Sequence, residues 1–183
     1  MALSSVVRTI ELELSDVDRG VYETLDLKVA QHPSESAARL VARILAFALE
    51  HGEGVEFSAG LAATDQPALW QRDLTGRLLA WIEVGTPAAE RLHKASKAAG
   101  RVAVYCHKRP DPWLRSLAGA KVHRSEELEL VGLDPATVEA LGEALGRRSR
   151  WQLTRTEGTV YLDTESGSHV LPLVPLPWPE STP

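Results

Sequence analysis

The hydrophobic period of this chain switches from two to 3.6 within its first third, and that switch restricts the folds open to it. In "RTIELEL", Ile10, Leu12 and Leu14 alternate with Glu11 and Glu13. In "VYETLDLKVA", Leu25, Leu27 and Val29 share the alternation with Val21. Alternation of this kind marks half-buried strands, and the short "SDVDRG" between them predicts an antiparallel hairpin. "HPSESAARLVARILAFALEHG" then takes up helical spacing, with Val41, Ile44, Leu45 and Ala48 on one side, Ser34 or Ser36 as cap and Gly52 as stop. Glu35, Arg39 and Arg43 stand four apart and form one polar stripe on that helix. A surface ladder of ion pairs worth a few tenths of a kcal/mol each is the plain reading of the stripe.

Three strands are predicted next, in "VEFSAG", "PALWQR" and "RLLAWIEVG", with a tight turn at "DLTG" before the last. A basic helix runs from about Pro87 to Ala99, and the apolar "RVAVYCH" reads as an inner strand. Short strands near 121–131, a helix from Asp134 with Pro135 in its first turn, and a hairpin from "RWQLTRT" and "TVYLDT" complete the pattern. The expected fold is α/β, a mixed sheet with flanking helices behind an N-terminal hairpin. A single domain spans 1–183, folded over 1–171 and ending in a proline-rich tail, 172–183. The tail reads as an extended strap on the surface, with a proline-rich ligand for a protein partner as the other option.

Hydrophobic residues at 44% and charged residues at 25% suit a globular domain expected to be monomeric. The first twenty residues hold no continuous apolar core, so neither a signal peptide nor a membrane span is expected, and none is expected elsewhere. The single cysteine, Cys106, excludes an intramolecular disulfide and points to the reducing cytoplasm. The net charge of −5 argues against a polyanionic partner, but it hides an asymmetry. From Glu90 to Arg124 nine Lys or Arg face only Glu90 and Asp111, a local excess of +7. That excess is either a solvated surface or a footprint for nucleic-acid phosphates.

No glycine-rich phosphate loop, nucleophile elbow or histidine pair at metal spacing is present, which leaves carboxylates and lysine as the candidate chemistry. Pairing outward from the turn near Leu74–Gly76 sets Glu83 roughly opposite Pro67, so Asp65 falls near Glu83 at the open end of that hairpin. Asp73 falls at the turn. Two carboxylates on neighbouring strands suit a hard cation such as Mg²⁺ or Mn²⁺, which could polarise a phosphodiester and activate water. A nearby lysine would stabilise the developing charge.

The runs "HPSE", "GLAATDQPALW" and "WIEVG" before a lysine-bearing helix closely resemble the YaeQ family of bacterial proteins. The likeness extends from the N-terminal hairpin to the strands near Val160. That family is similar in fold to the PD-(D/E)XK, or restriction-endonuclease-like, nucleases, whose core is a helix, three strands, a helix and a strand. By that resemblance Glu35 is the auxiliary acid on the first helix, and Asp65 and Glu83 are the acids on the second and third core strands. The superfamily's lysine normally lies two residues beyond the last acid, where this chain has Gly85. Lys94 on the following helix is the candidate substitute, with Lys97 as the other choice.

Two functions remain open at this point. One is a metal-dependent hydrolase of nucleic acid, with Asp65 and Glu83 as metal ligands, Glu35 assisting and Lys94 steadying the phosphate. In it Arg39, Arg43, Arg91 and Lys97 bind the nucleic acid. The other is a nuclease-fold module that has lost catalysis and serves in binding or regulation.

Overall fold

The computed structural model describes residues 4–180, so the last three residues of the tail lie outside the described residues. Strands β1 (Val6–Asp16) and β2 (Val21–Gln31) form the expected hairpin, with Ile10 opposite Leu27 and Leu12 opposite Leu25. Helix α1 (Ala37–Glu50) follows, and Ser36 caps it by accepting from the Arg39 amide at 3.1 Å. Then come β3 (Val55–Phe57), β4 (Leu69–Arg72), β5 (Leu78–Val84), α2 (Ala89–Ala98) and β6 (Arg101–Cys106). The later elements are α3 (Pro110–Leu117), β7 (Glu129–Gly132), α4 (Pro135–Ala144), β8 (Arg148–Thr156), β9 (Thr159–Thr164), β10 (Gly167–Pro172) and β11 (Val174–Leu176).

The strands divide into two mixed sheets where one was expected. The first runs β10-β9-β8-β1-β2 and the second β11-β7-β6-β5-β4-β3. β8 joins the N-terminal hairpin by pairing parallel to β1, with Leu12 beside Trp151 and Leu14 beside Leu153. In the second sheet β5, β6 and β7 are parallel neighbours, while β4 runs antiparallel to β5. The tail adds an edge strand to this sheet, β11 pairing with β7, and Trp178 packs against the cluster beneath α2 and α3.

Helix α1 is buried on nearly every side, eleven of its fourteen residues being shielded from solvent. Its apolar residues reach strands of both sheets, and α1 lies between them. One core cluster joins Ile10, Leu12 and Leu14 of the first sheet, Leu40, Ile44 and Leu45 of α1, and Ile82 and Tyr105 of the second. The opposite face of the second sheet carries Trp81, Val102, Val104 and Cys106, covered by Leu92 and Ala95 of α2 and Trp113 and Leu117 of α3. Among the described residues no helix is long and apolar enough to cross a membrane.

The sequence pattern predicts no element over "RPDPW", where helix α3 begins. Pro110 takes the first helical position, where its missing N–H costs nothing, and the helix continues for eight residues.

Helix α4 approaches α1 so closely that a Cβ on Gly142 would stand 2.8 Å from Ala38 N and 3.0 Å from Ala37 C. Helix propensity alone would make Gly142→Ala stabilising by about 1 kcal/mol. The obstructing atoms are backbone and cannot rotate aside, so the sign reverses. Urea unfolding should show a loss of about 1–3 kcal/mol, as for an overpacked core. A gain would mean that α4 can shift away from α1.

Candidate functional site

Glu83 lies one residue before the C-terminal end of β5, on the face that carries Trp81. Residues two apart on a strand share a face, and the Trp81 indole uses this by donating Nε1–H to Glu83 Oε1 at 2.6 Å. Arg91, in the first turns of α2, donates Nε–H to the same oxygen, also at 2.6 Å. Its two terminal nitrogens donate to the carbonyls of Thr64 and Gln66, each at 2.6 Å. One guanidinium therefore ties the end of β5, the loop before β4 and the start of α2 together. Burial pushes the Glu83 carboxyl above its ordinary range, and the Trp81 and Arg91 hydrogen bonds with the charges of Arg91 and Arg39 oppose that rise.

A second ion cluster stands beside the first, at the N-terminus of α1. Glu35 is buried and accepts from Arg39 Nη1 at 2.6 Å and from Arg43 Nη2 at 3.0 Å. Arg43 Nη2 also donates to the Ala30 carbonyl at 2.8 Å, and its guanidinium carbon lies 5.7 Å from the centre of the Phe57 ring. The turn at Gly60 closes over it, since a Cβ there would come within 3.0 Å of Arg43 Nη1. The Glu35–Arg39–Arg43 stripe is therefore an interior ion cluster, not a surface ladder. Helical spacing sets Arg39 and Arg43 on one face of α1 and Glu35 stands just before its Ser36 cap, while the Ala30 carbonyl of β2, Phe57 of β3 and the 60–62 turn close around Arg43.

Both clusters border a cavity of about 280 Å³ lined by Arg39, Glu83, Arg91, Thr64 and Thr86 among others. It opens beyond the C-terminal end of β5, where ligands commonly meet parallel strands. A larger cavity, about 530 Å³, lies at the other end of the sheet beside Arg101 and Glu50. There Arg101 is held between Glu50 and Glu129, at 2.6 and 2.5 Å, as Arg91 is held at the smaller cavity, and the smaller one is the one that Glu83 lines. His107 follows β6 on the same rim as Glu83. Its Nδ1 is buried without a hydrogen-bond partner, and burial with the charges of Lys108 and Arg39 pushes its pKa down to about 4. The imidazole is therefore neutral at pH 7.

The other expected site residues fall in different places. Asp65 occupies an exposed turn and is not among the residues lining the cavity, although Thr64 and Gln66 on either side of it are. The β4–β5 register continues to Ala68, which donates to the Ile82 carbonyl at 3.1 Å, so Glu83 is set within a residue of the expected position. Past Ala68 the chain leaves the ladder, and Asp65 goes with the loop. Asp73 is the turn residue expected, its Oδ1 accepting from the Thr75 and Arg77 amides. Lys94 and Lys97 are exposed on α2. Arg43 is too deeply buried to meet a polyanion, and Arg91 is engaged with Glu83. The role of Arg91 was the one sequence reasoning missed. The available signal was its place one helical turn before Lys94, nearer to the strand end.

A divalent cation does not fit this arrangement of side chains. Glu83 would be its only carboxylate from the cavity wall, and a guanidinium 2.6 Å from that carboxylate repels a second positive charge. Among the described residues no three His, Cys, Asp or Glu side chains converge on one point.

Removing Arg91 should expose the energetics of the pair. With Glu83 buried and left with the Trp81 indole but no opposing charge, Arg91→Ala should cost about 3 kcal/mol, the lower end for a broken buried pair because the arginine side chain is 31% exposed. A carboxyl whose folded pKa is raised favours the folded state while protonated, and that advantage fades as pH rises from the ordinary carboxyl pKa through the raised value. In the variant the pKa rises further, so its deficit should shrink as the buffer moves from pH 7 toward pH 5. Thermal melting across that range reads the effect, and a deficit independent of pH would remove Glu83 as its cause.

A family profile described as YaeQ protein matches residues 1–172. The YaeQ protein of Escherichia coli (strain K12) is 27% identical over 170 residues, covering 92% of this chain and 93% of that one. The YaeQ protein of Salmonella typhi is 29% identical over 164 residues, with 88% and 90% covered. The crystal structure of YaeQ from Pseudomonas syringae aligns with a TM-score of 0.85 at 33% identity, over 94% of this chain and 96% of that one. The YaeQ structure from Xanthomonas axonopodis pv. citri aligns at 0.87 and 36% identity, over 96% and 100%. Profile, sequence and fold agree over nearly the whole length, and the chain belongs to the YaeQ family.

Proposed function

We propose that this protein is a nucleic-acid-binding module on a nuclease-like fold, without hydrolytic activity of its own. The observation that carries the reading is the Arg91–Glu83 pair, which closes the acid that a metal-dependent site would need open. Gly85 supports it. Its φ is +115°, a conformation that L side chains rarely adopt, so a lysine two residues beyond Glu83 would be strained. Lys94 and Lys97 then serve as surface charge.

Binding falls to the layer of α2 and α3. Of the nine cations between Glu90 and Arg124, three serve the fold: Arg91 holds Glu83, Arg101 holds Glu50 and Glu129, and Arg124 donates to the carbonyls of Ser96 and Ala99 at the end of α2. Lys94, Lys97, Lys108, Arg109, Arg115 and Lys121 are exposed. Phosphate contacts of this kind give affinity with little sequence preference.

The rival reading keeps Glu35, Asp65 and Glu83 as acids and Lys94 as the cationic partner of a Mg²⁺- or Mn²⁺-dependent phosphodiesterase. The feature in its favour is that Glu83 lines an open cavity. It requires Arg91 to leave Glu83 and the Asp65 turn to fold inward.

Titration of a labelled duplex across about 50–200 mM salt in EDTA separates the two readings. Engagement of about four to six cations should give a slope of roughly −3 to −5 in log affinity against log salt. Replacing Lys94 and Lys97 by alanine should flatten the slope by about 2. Absence of binding in EDTA at the lowest salt defeats the module. Cleavage that requires Mg²⁺ and is lost in Glu83→Gln establishes the phosphodiesterase.

A further inference from the structure

We infer that the outer edge of β2 is a self-association site, at which a second copy of this chain pairs antiparallel about Leu27 and joins two five-stranded sheets into one.

The sheet edges differ in what they leave open. β3 and β11 are three residues long, and β10 ends on Pro172 after six. β2 runs for 11 residues without proline or glycine, and among the described residues β1 is its one strand partner. The pairing of β1 with β8 fixes which backbone groups of β2 are open. The amides of Thr9 in β1 and Val17 just beyond it donate to the Arg147 and Arg155 carbonyls, so odd-numbered residues of β1 point toward β8 and even-numbered ones toward β2. Each even residue of β1 stands opposite an odd residue of β2, as Ile10 does with Leu27. The odd residues of β2 therefore fill the ladder with β1, and the N–H and C=O groups of Tyr22, Thr24, Asp26, Lys28 and Ala30 point outward. The Ala30 carbonyl accepts from Arg43 Nη2, and a carbonyl keeps a second lone pair.

Open edges invite pairing, and charged side chains are a usual defence against it. Here the charges select the partner. Asp26 and Lys28 are both exposed and stand two positions apart on one face of β2. Within its own sheet Asp26 lies opposite Glu11, a like charge that Arg150 holds. A two-fold axis at Leu27 brings Asp26 of each protomer opposite the partner's Lys28, and Thr24 opposite the partner's Ala30. These are the even residues, whose backbone groups are open, so charge pairing and hydrogen bonding call for the same register. An axis at Asp26 or Lys28 would set like charges face to face, and one at Leu25 would set the two charges against Thr24 and Tyr22. On the inner face the Leu27 axis brings the partner's Val29 against Leu25, which is only partly buried.

A contact along one strand edge is small for a stable complex, so the expected dimer is reversible, with a Kd of about 1–100 µM. It uses neither the cavity beside Glu83 nor the basic layer of α2 and α3, so it stands or falls apart from the binding reading.

Sedimentation equilibrium of the full chain across about 2–200 µM tests the inference, and the natural protein should pass from monomer toward dimer over that range. Asp26→Lys and Lys28→Asp each turn both ion pairs into repulsions, and each should raise Kd at least about tenfold. The Asp26→Lys/Lys28→Asp exchange restores opposite charges and should return Kd to within about threefold of the natural value. Thr24→Pro removes an outward N–H while sparing the ladder with β1, so it should stop dimerisation and leave the circular dichroism spectrum unchanged. If Thr24→Pro does not fold, the charge series decides alone, since its positions are exposed. A natural protein that stays monomeric at about 200 µM overturns the inference. So does a dimer that ignores the single reversals, or one that the exchange fails to restore.

Discussion

The burial of α1 between two sheets governs the rest of this structure. Its apolar residues face the first sheet on one side and the second on the other, so neither sheet has a complete core without it. The same burial decides the character of the polar residues that the helix carries. Arg43 sits in mid-helix and cannot reach solvent, so it must be satisfied inside, and Glu35 and the Ala30 carbonyl satisfy two of its needs. Its buried Nε keeps no hydrogen-bond partner, which adds to the cost of placing the ion there.

The two ion clusters at the rim are better understood as devices of position than of stability. Taking a charge pair out of water costs several kcal/mol per ion, and the attraction recovers it only with good geometry and further hydrogen bonds. Both clusters meet that condition by recruiting backbone carbonyls and, at Glu83, an indole. What they secure is the mutual placement of the α1 N-terminus, the end of β5, the 63–67 loop and the start of α2, the elements that shape the small cavity. The exposed lysines of α2 are free of this work and leave a positive surface beside a rim whose own charges are paired.

Much of the fold was legible in one dimension because periodicity and turn chemistry are local. The N-terminal hairpin, α1 with its serine cap, the turn at Asp73 and the order from α1 to β6 follow from residue spacing. The pairing of β1 with β8 was not legible, since its partners lie about 139 positions apart, as in the bond from Arg150 to Glu11, and alternation does not say which strands become neighbours. The division into two sheets depends on that pairing. Helix α3 was hidden by prolines whose meaning depends on whether they open a helix or lie within a loop.

By itself the sequence determined most of the element types, the family resemblance and the choice of Glu83 as the residue of interest: an acid at the end of an apolar strand is costly unless something meets it. It also set Arg39 and Arg43 on one helical face, with Glu35 just ahead of the Ser36 cap. Only the tertiary structure decided what meets Glu83. Arg91 and Lys94 are separated by a single helical turn, and both carry the same charge. The direction in which α2 leaves β5 turns the first toward the carboxylate and the second toward water. Asp65 is carried away for a related reason, because the β4–β5 ladder ends before reaching it. Charge and spacing are properties of the chain, whereas which cation reaches a buried oxygen depends on how the layers pack.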